Sequence, residues 1–320
     1  MTVVAVILLL VKLIAWWLTR SVSILTDALE SIVNVVAGVI SLYSLTIAAK
    51  PRDADHPYGH GKAEFVSAAV EGSLIFVAGI VIIIESIRNY FDPHEIQQLD
   101  FGILLVSATA LINFILGTYA MNIGIKNNSL ALIASGKHLR TDTFSTAGII
   151  AGLLLIYFTG WTWVDNVMAM FFALMIIVTG YKIIRRSLAG IMDESDSLLL
   201  QKLVEKVNAQ RNENWIDLHK LRIIKFGSIL HVDCHLTVPW YLTVREGHQE
   251  VDRFSQVVKN NFGDTVELFV HSDGCEAFSC AICTKQNCTV RQSDFQQRLE
   301  WTTNMVADDS KHRISDRVKA

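Results

Sequence analysis

"GKHLRTDTFSTAGIIAGLLLIYF", residues 136–158, sets a long apolar run directly behind Lys137, His138, Arg140 and Asp142. Started at Phe144 and ended at Gly160, the run has 17 residues, the bottom of the ~17–25 that span a bilayer. A comfortable span therefore takes the ionisable residues into the helix. At about 100° per residue, His138 and Asp142 lie about 40° apart on one face, while Arg140 points to the opposite side and Lys137 off to one flank. An i, i+4 His/Asp pair can aim a nitrogen and an oxygen at one point, as a metal ion needs. By spacing alone it reads equally as a pair of buried hydrogen bonds or an Asp142–Arg140 contact.

Composition places the chain in a membrane. Of 320 residues 51% are hydrophobic and only 18% charged, with a mean hydropathy of +0.36, above what a soluble domain of this size shows. A net charge of −3 without a basic tract excludes nucleic acid as a partner. Six segments are long enough to span: about 2–19, 23–48, 66–88, 101–122, 130–159 and 162–184. The first contains Lys12 and has neither a charged leader nor a small-residue cleavage site after "AWWLTR", so it reads as a membrane helix and not a signal peptide. Lys50, Arg52 and Lys62 between segments two and three, Lys126 between four and five, and Lys182, Arg185 and Arg186 after six outweigh Arg20 and Arg88 on the other side. That bias puts both termini in the cytoplasm. The expected division is 1–190, a six-helix membrane domain; 191–285, a cytoplasmic domain; and 286–320, a polar tail.

An ionisable residue inside a membrane helix costs about 2.5–3.5 kcal/mol unless it pairs or faces a wet cavity. Segment two carries such residues in "TDALESIVN", with Asp27, Glu30 and Asn34. Glu30 and Asn34 repeat the i, i+4 spacing of His138 and Asp142, and two such pairs on facing helices are a plausible way to hold a divalent ion. The loop "PRDADHPYGHGKAE", 51–64, adds Asp53, His56 and His60, one carboxylate and two imidazoles suited to zinc or a similar first-row ion. Gly59 and Gly61 point to a tight turn there.

In the soluble half, 195–210 and 245–261 have helical periodicity. "LHKLRIIKFG" and "ILHVDCHLTV" alternate as a hairpin around Gly227-Ser228, and "TVELFVHSD" reads as a third strand. This gives an αββαβ domain with His219, His235, His248, His271 and Asp273 as candidate ligands. "CEAFSCAICTKQNC" then sets Cys275, Cys280, Cys283 and Cys288 within fourteen residues, a candidate second metal site where cytoplasmic disulfides do not persist, with redox sensing or isolated reduced thiols as the alternatives.

"KLIAWWLTRSVSILTDALESIVN", "DADHPYGHGKAE" and "HLRTD" together resemble the cation diffusion facilitators, particularly the bacterial zinc and ferrous-iron efflux members, from Lys12 to about Cys275. The resemblance implies an α-helical membrane protein of six transmembrane helices with a cytoplasmic α+β, ferredoxin-like (αββαβ) C-terminal domain. It also implies a multi-pass membrane homodimer, in the inner membrane of a bacterium, that exchanges a divalent cation for protons. The family's intramembrane site falls on Glu30, Asn34, His138 and Asp142, its loop site on Asp53, His56 and His60. Its cytoplasmic site falls on His219, His235, His271 and Asp273, with His248 auxiliary, and a charge interlock beneath the membrane on Lys62 and Asp193. Two positions depart from the pattern: Glu30 stands where the family has Asp or His, and Asn34 where it has Asp. The amide removes a negative charge, for which Asp27 on the same helix face is a candidate replacement.

The expected function is proton-coupled efflux of a divalent cation by alternating access, with Zn2+ favoured over Fe2+, Co2+, Cd2+ or Mn2+. The alternative is a membrane-anchored metal sensor or metallochaperone that transports nothing. The chain has neither a HExxH zinc-enzyme motif nor a Walker A motif, so an enzyme or an ATP-driven pump is not expected.

Overall fold

The computed structural model describes residues 2–92, 96–126, 130–226, 229–263 and 266–314. It divides into two compact units: 1–45 with 65–188, and 46–64 with 189–320.

Six long helices build the first unit: α1 (Thr2–Thr19), α2 (Val22–Ala48), α3 (Ala63–Phe91), α4 (Leu99–Lys126), α5 (Leu130–Thr159) and α6 (Trp163–Ile191). Among the described residues, Pro51, Pro57 and Pro239 fall between elements, so none of them removes a helical hydrogen bond. Helices α2 to α6 are each long and apolar enough to cross a membrane; α1, at 18 residues, is shorter. The charged start of α5 is continuous with its apolar run.

Ala15, Ile24, Val106, Ile149 and Leu153 form one buried cluster joining α1, α2, α4 and α5. Small residues let backbones approach where side chains would hold them apart. A Cβ on Gly136 would lie 2.6 Å from the Gly117 carbonyl oxygen, and one on Gly180 2.8 Å from that of Gly72. The start of α2 is capped from α6. Asp165, 1% exposed, accepts from the backbone N–H groups of Val22 (2.6 Å) and Ser23 (3.3 Å) and from the Ser21 hydroxyl (2.6 Å). These donors have no partner inside their own helix, and a carboxylate suits the positive end of the helix dipole.

The second unit carries α7 (Ser197–Ala209), β1 (Asp217–Phe226), β2 (Ile229–Val238), α8 (Val244–Phe262), β3 (Val266–Gly274), a 3-10 turn at Ala277–Ala281 and α9 (Thr303–Ala307). The sheet order is β1-β2-β3, with β1 antiparallel to β2 and β2 parallel to β3. A parallel pair needs a crossover, which α8 provides, and the expected αββαβ order is present. The hairpin turn at Gly227-Ser228 lies outside the described residues. Asp196 caps α7 through the N–H groups of Leu198 and Leu199, both at 3.2 Å, and Thr243 with Glu246 forms a capping box on α8.

Two expected boundaries move. The 286–320 stretch is not set apart as a polar tail through its described part: Trp301 and Val306 are buried in the same core as Leu203, Trp215, Leu236 and Phe254. His312 Nδ1 sits 2.7 Å from Asp217 Oδ1 and its backbone N–H donates to Oδ2. Polar composition concealed a few large apolar anchors. The 46–64 loop, assigned from sequence to the membrane domain, belongs to the second unit, where Arg52 pairs with Glu267 and Tyr58 stacks near His231 and Phe226.

Candidate metal centres

In the membrane unit, α2 and α5 bring together part of the predicted set. Asn34 donates its amide to Asp142 Oδ2 at 3.1 Å, and His138 Nε2 lies 3.7 Å from the same oxygen. These three residues line a cavity of about 360 Å³ with Ser31, Asn113 and apolar side chains from α1, α2, α4 and α5. Arg140 is elsewhere, over the Phe114 ring of α4, as the helical angle predicts. Glu30 is half-buried outside the cavity lining, within electrostatic reach of Asp142, Asp27 and Lys12.

Asp27 is not placed to replace the charge missing at Asn34. Its Oδ1 accepts from Lys12 Nζ at 2.9 Å and from the Thr146 hydroxyl at 2.9 Å, and it does not line the cavity. Lys12 and Asp27 are each 3% exposed, and Lys12 also donates to Ser31 at 2.9 Å. The Oδ2 atom of Asp27 is buried without a hydrogen-bond partner.

In the loop, Asp53, His56 and His60 place one ligand atom each within 4.8 Å of one another. Asp53 Oδ1 accepts from the His56 backbone at 2.7 Å and lies 3.0 Å from its Nδ1, while Oδ2 lies 3.3 Å from His60 Nε2. The His56 backbone bond, with the imidazoles as a lesser contribution, holds the Asp53 carboxyl below the usual carboxylate range. The turn closes through Gly59 at φ +91°, a conformation that favours glycine. Immediately after it, Lys62 Nζ donates to Asp193 Oδ2 at 2.8 Å and to the Ile191 carbonyl at 3.3 Å, forming the predicted pair.

The sheet makes the third cluster through its register. His219 pairs with His235 across β1 and β2, and His235 with His271 across β2 and β3. Three imidazoles thus stand side by side in one row of the sheet. Asp273, two residues beyond His271, brings Oδ2 to 3.0 Å from His235 Nδ1 and 3.4 Å from His219 Nε2. His219, His235 and Asp273 have ligand atoms within 4.8 Å of one another. His271 is adjacent, with Nε2 3.6 Å from Asp273 Oδ1. His248 is not brought to the cluster: its ring faces Asp252 one turn along α8 at 3.7 Å.

Behind His219, Asp217 Oδ2 lies 3.5 Å from Nδ1. A carboxylate behind a ligating imidazole orients the ring and fixes its tautomer. Burial pushes the Asp217 carboxyl up, but bonds from His219 and His312 outweigh it and hold it well below the usual range. The donor set, two imidazoles and a carboxylate with a supporting acid, fits zinc or a neighbouring first-row cation. The four cysteines line a separate small cavity.

The comparisons agree with this architecture. Residues 1–192 match the cation efflux transmembrane domain, and 196–275 match the cytoplasmic domain of cation efflux proteins. An uncharacterized transporter of Synechocystis sp. is 32% identical over 237 residues, covering 74% of this chain and 76% of the relative. Cation-efflux pumps FieF of Shewanella oneidensis and Citrobacter koseri are each 26% identical, over 84% and 86% of this chain and 90% of theirs. The chain belongs to the cation diffusion facilitator family. It is a cation efflux transporter by family, a multi-pass membrane protein whose C-terminal sheet domain matches the family's cytoplasmic domain.

In this cation diffusion facilitator, reading the sequence missed four residues that the structure places at or behind the clusters. Lys12 was visible as a charge inside an apolar helix, and its desolvation cost signals a buried partner, but helical spacing does not identify Asp27 on another helix. Asn113 was equally visible as a polar residue in α4. Asp217 was legible only once the β1 register was known, and His312 had no local signal, since 95 residues separate it from Asp217.

Proposed function

We propose that this facilitator exports a zinc-type divalent cation by alternating access, in exchange for protons, working as a homodimer joined through its cytoplasmic domains. The observation that carries the reading is the membrane cavity lined by Asn34, His138 and Asp142. An ionisable pair on a spanning helix is costly unless it faces a wet path, and both members line this cavity. Cargo enters from the cytoplasm past the 46–64 loop, is held by His138, Asp142 and Asn34 with Glu30 nearby, and leaves on the far side after the helices rock. Imidazole is the side chain whose ordinary titration lies nearest neutral pH, and a ligating nitrogen must first lose its proton. His138 therefore carries the proton that replaces the departing cation. The sheet cluster binds metal in the cytoplasm and favours the paired form of the domain when metal is high.

The test is cation flux in reconstituted vesicles under a proton gradient, across zinc, iron, cobalt, cadmium and manganese. His138→Ala and Asp142→Ala each reduce zinc flux to the level of empty vesicles. Wild-type rates in both variants would remove the site assignment, and would favour a sensor that needs only its cytoplasmic ligands.

A further inference from the structure

The last strand of the sheet ends at Gly274, and from there to Leu299 the chain has one 3-10 turn and otherwise no regular structure. It is nonetheless well packed. Ile282 is 1% exposed, and Ile282, Cys283 and Leu299 share a core cluster with Ile216. The segment therefore lacks the ladders that ordinarily fix a backbone. What it has is four thiols lining one cavity.

Cys275, Cys280, Cys283 and Cys288 all line one cavity of about 10 Å³, walled also by Ile216, Pro239 and Tyr241. That volume is about one water-sized sphere. The backbone N–H of Gln292 lies 3.4 Å from Cys280 Sγ. A donor aimed at sulfur belongs to the outer shell a metal-bound thiolate needs, because it spreads the negative charge.

Positive charge surrounds the same loop. Arg291 donates to the carbonyls of Cys280 (2.8 Å), Cys283 (3.1 Å) and Lys285 (2.7 Å), and Lys285 and Arg291 both line the cavity. Four thiolates on a divalent ion carry a net charge of −2, which Arg291 offsets in part; Lys285 is shared with Glu213 at 3.0 Å and the Asn214 side chain at 2.7 Å. All four cysteines are free, and a cytoplasmic compartment keeps them reduced.

We propose that Cys275, Cys280, Cys283 and Cys288 hold one resident zinc ion, which staples the end of β3 to the irregular stretch that follows it. Binding releases one proton from each thiol and forms four zinc–sulfur bonds; no electron changes hands. Four protein ligands leave no open coordination position, the arrangement of a structural and not a catalytic site. The described groups with all ligand atoms within 4.8 Å are the two histidine–carboxylate clusters. The four cysteines are not among these groups, so taking up the ion requires their sulfurs to draw together.

The test uses the whole chain in detergent, freed of metal and titrated with cobalt. A four-thiolate site gives intense sulfur-to-cobalt charge-transfer bands and tetrahedral d–d bands, which zinc then abolishes. Histidine and carboxylate ligands give no sulfur bands, so the reading is independent of the other centres and of transport. His235→Ala keeps the sulfur bands, and Cys280→Ser/Cys283→Ser loses them together with one zinc per chain by elemental analysis. Because the wild-type spectrum needs no variant, misfolding of the serine double cannot rescue or sink the idea. Absence of charge-transfer bands, with all four thiols reacting with a disulfide reagent equally fast with and without zinc, would overturn it. So would reversible air oxidation to disulfides, seen as a mass loss, in a protein that takes up no cobalt there.

Discussion

The membrane cavity and the cytoplasmic sheet use the same donor chemistry, imidazole and carboxylate, but hold it in opposite ways. In the sheet, backbone register fixes the geometry: His219, His235 and His271 occupy one row of three strands, and Asp273 closes on His219 and His235 within 4.8 Å. Asp217 supports His219 from behind, itself tied to His312. In the membrane, no ladder joins α2 to α5. Asn34, His138 and Asp142 meet at 3.1 and 3.7 Å beside a cavity of about 360 Å³, and the buried carboxylate of Asp27 on α2 is engaged by Lys12. A preorganised cluster loses little entropy on taking an ion and suits retention. A roomy site with part of its charge already neutralised suits an ion that must also leave.

The largest effect is expected where that internal neutralisation is removed. Lys12→Met leaves Asp27 buried and unpaired, which costs about 3–5 kcal/mol; thermal unfolding in detergent reads it, and Lys12→Met/Asp27→Asn recovers most of the loss. If the single variant were as stable as wild type, Lys12 would not be neutralising a buried charge on Asp27. Next is the support behind the sheet cluster. Asp217→Asn weakens zinc binding there by about 10–100-fold, measured by calorimetry on the whole chain, while the cation preference of vesicle flux stays unchanged.

Asn34→Asp sharpens the contrast from the other side. A second carboxylate on the cavity raises affinity for divalent cations by about tenfold and shifts the order of preference in the flux panel; an unchanged order would show that position 34 does not tune selectivity. The smallest effect concerns the frame of the sheet domain. The Leu199 backbone N–H holds the Asp196 carboxyl below its usual range, so its contribution is present above the ordinary carboxylate range and is lost as pH falls through the depressed value. Asp196→Ala costs about 1 kcal/mol at neutral pH, and the gap to wild type closes on acidification below about pH 4, as unfolding curves at the two pH values would register.

Much of this was legible along the chain. Apolar runs long enough to span marked six helices because a bilayer demands length and internal hydrogen bonding, and alternation marked three strands because side chains on a strand repeat every two residues. His138 and Asp142 were readable as a pair because both lie on one helix face, where spacing alone fixes direction. Asp53, His56 and His60 were readable for a similar local reason.

What escaped was long-range. The pairing of Lys12 with Asp27, the cap that Asp165 places on α2, the burial of Trp301 and the tie from His312 to Asp217 join residues on different elements. Whether His248 or Asp273 meets His235 depended on register and on where α8 runs. Local sequence thus determined which elements exist and which donors each one carries, since periodicity and propensity act over a few residues. Only tertiary packing decided which donors share a site and which are already occupied, because burial of charge is satisfied by whichever partner the fold brings within 3 Å.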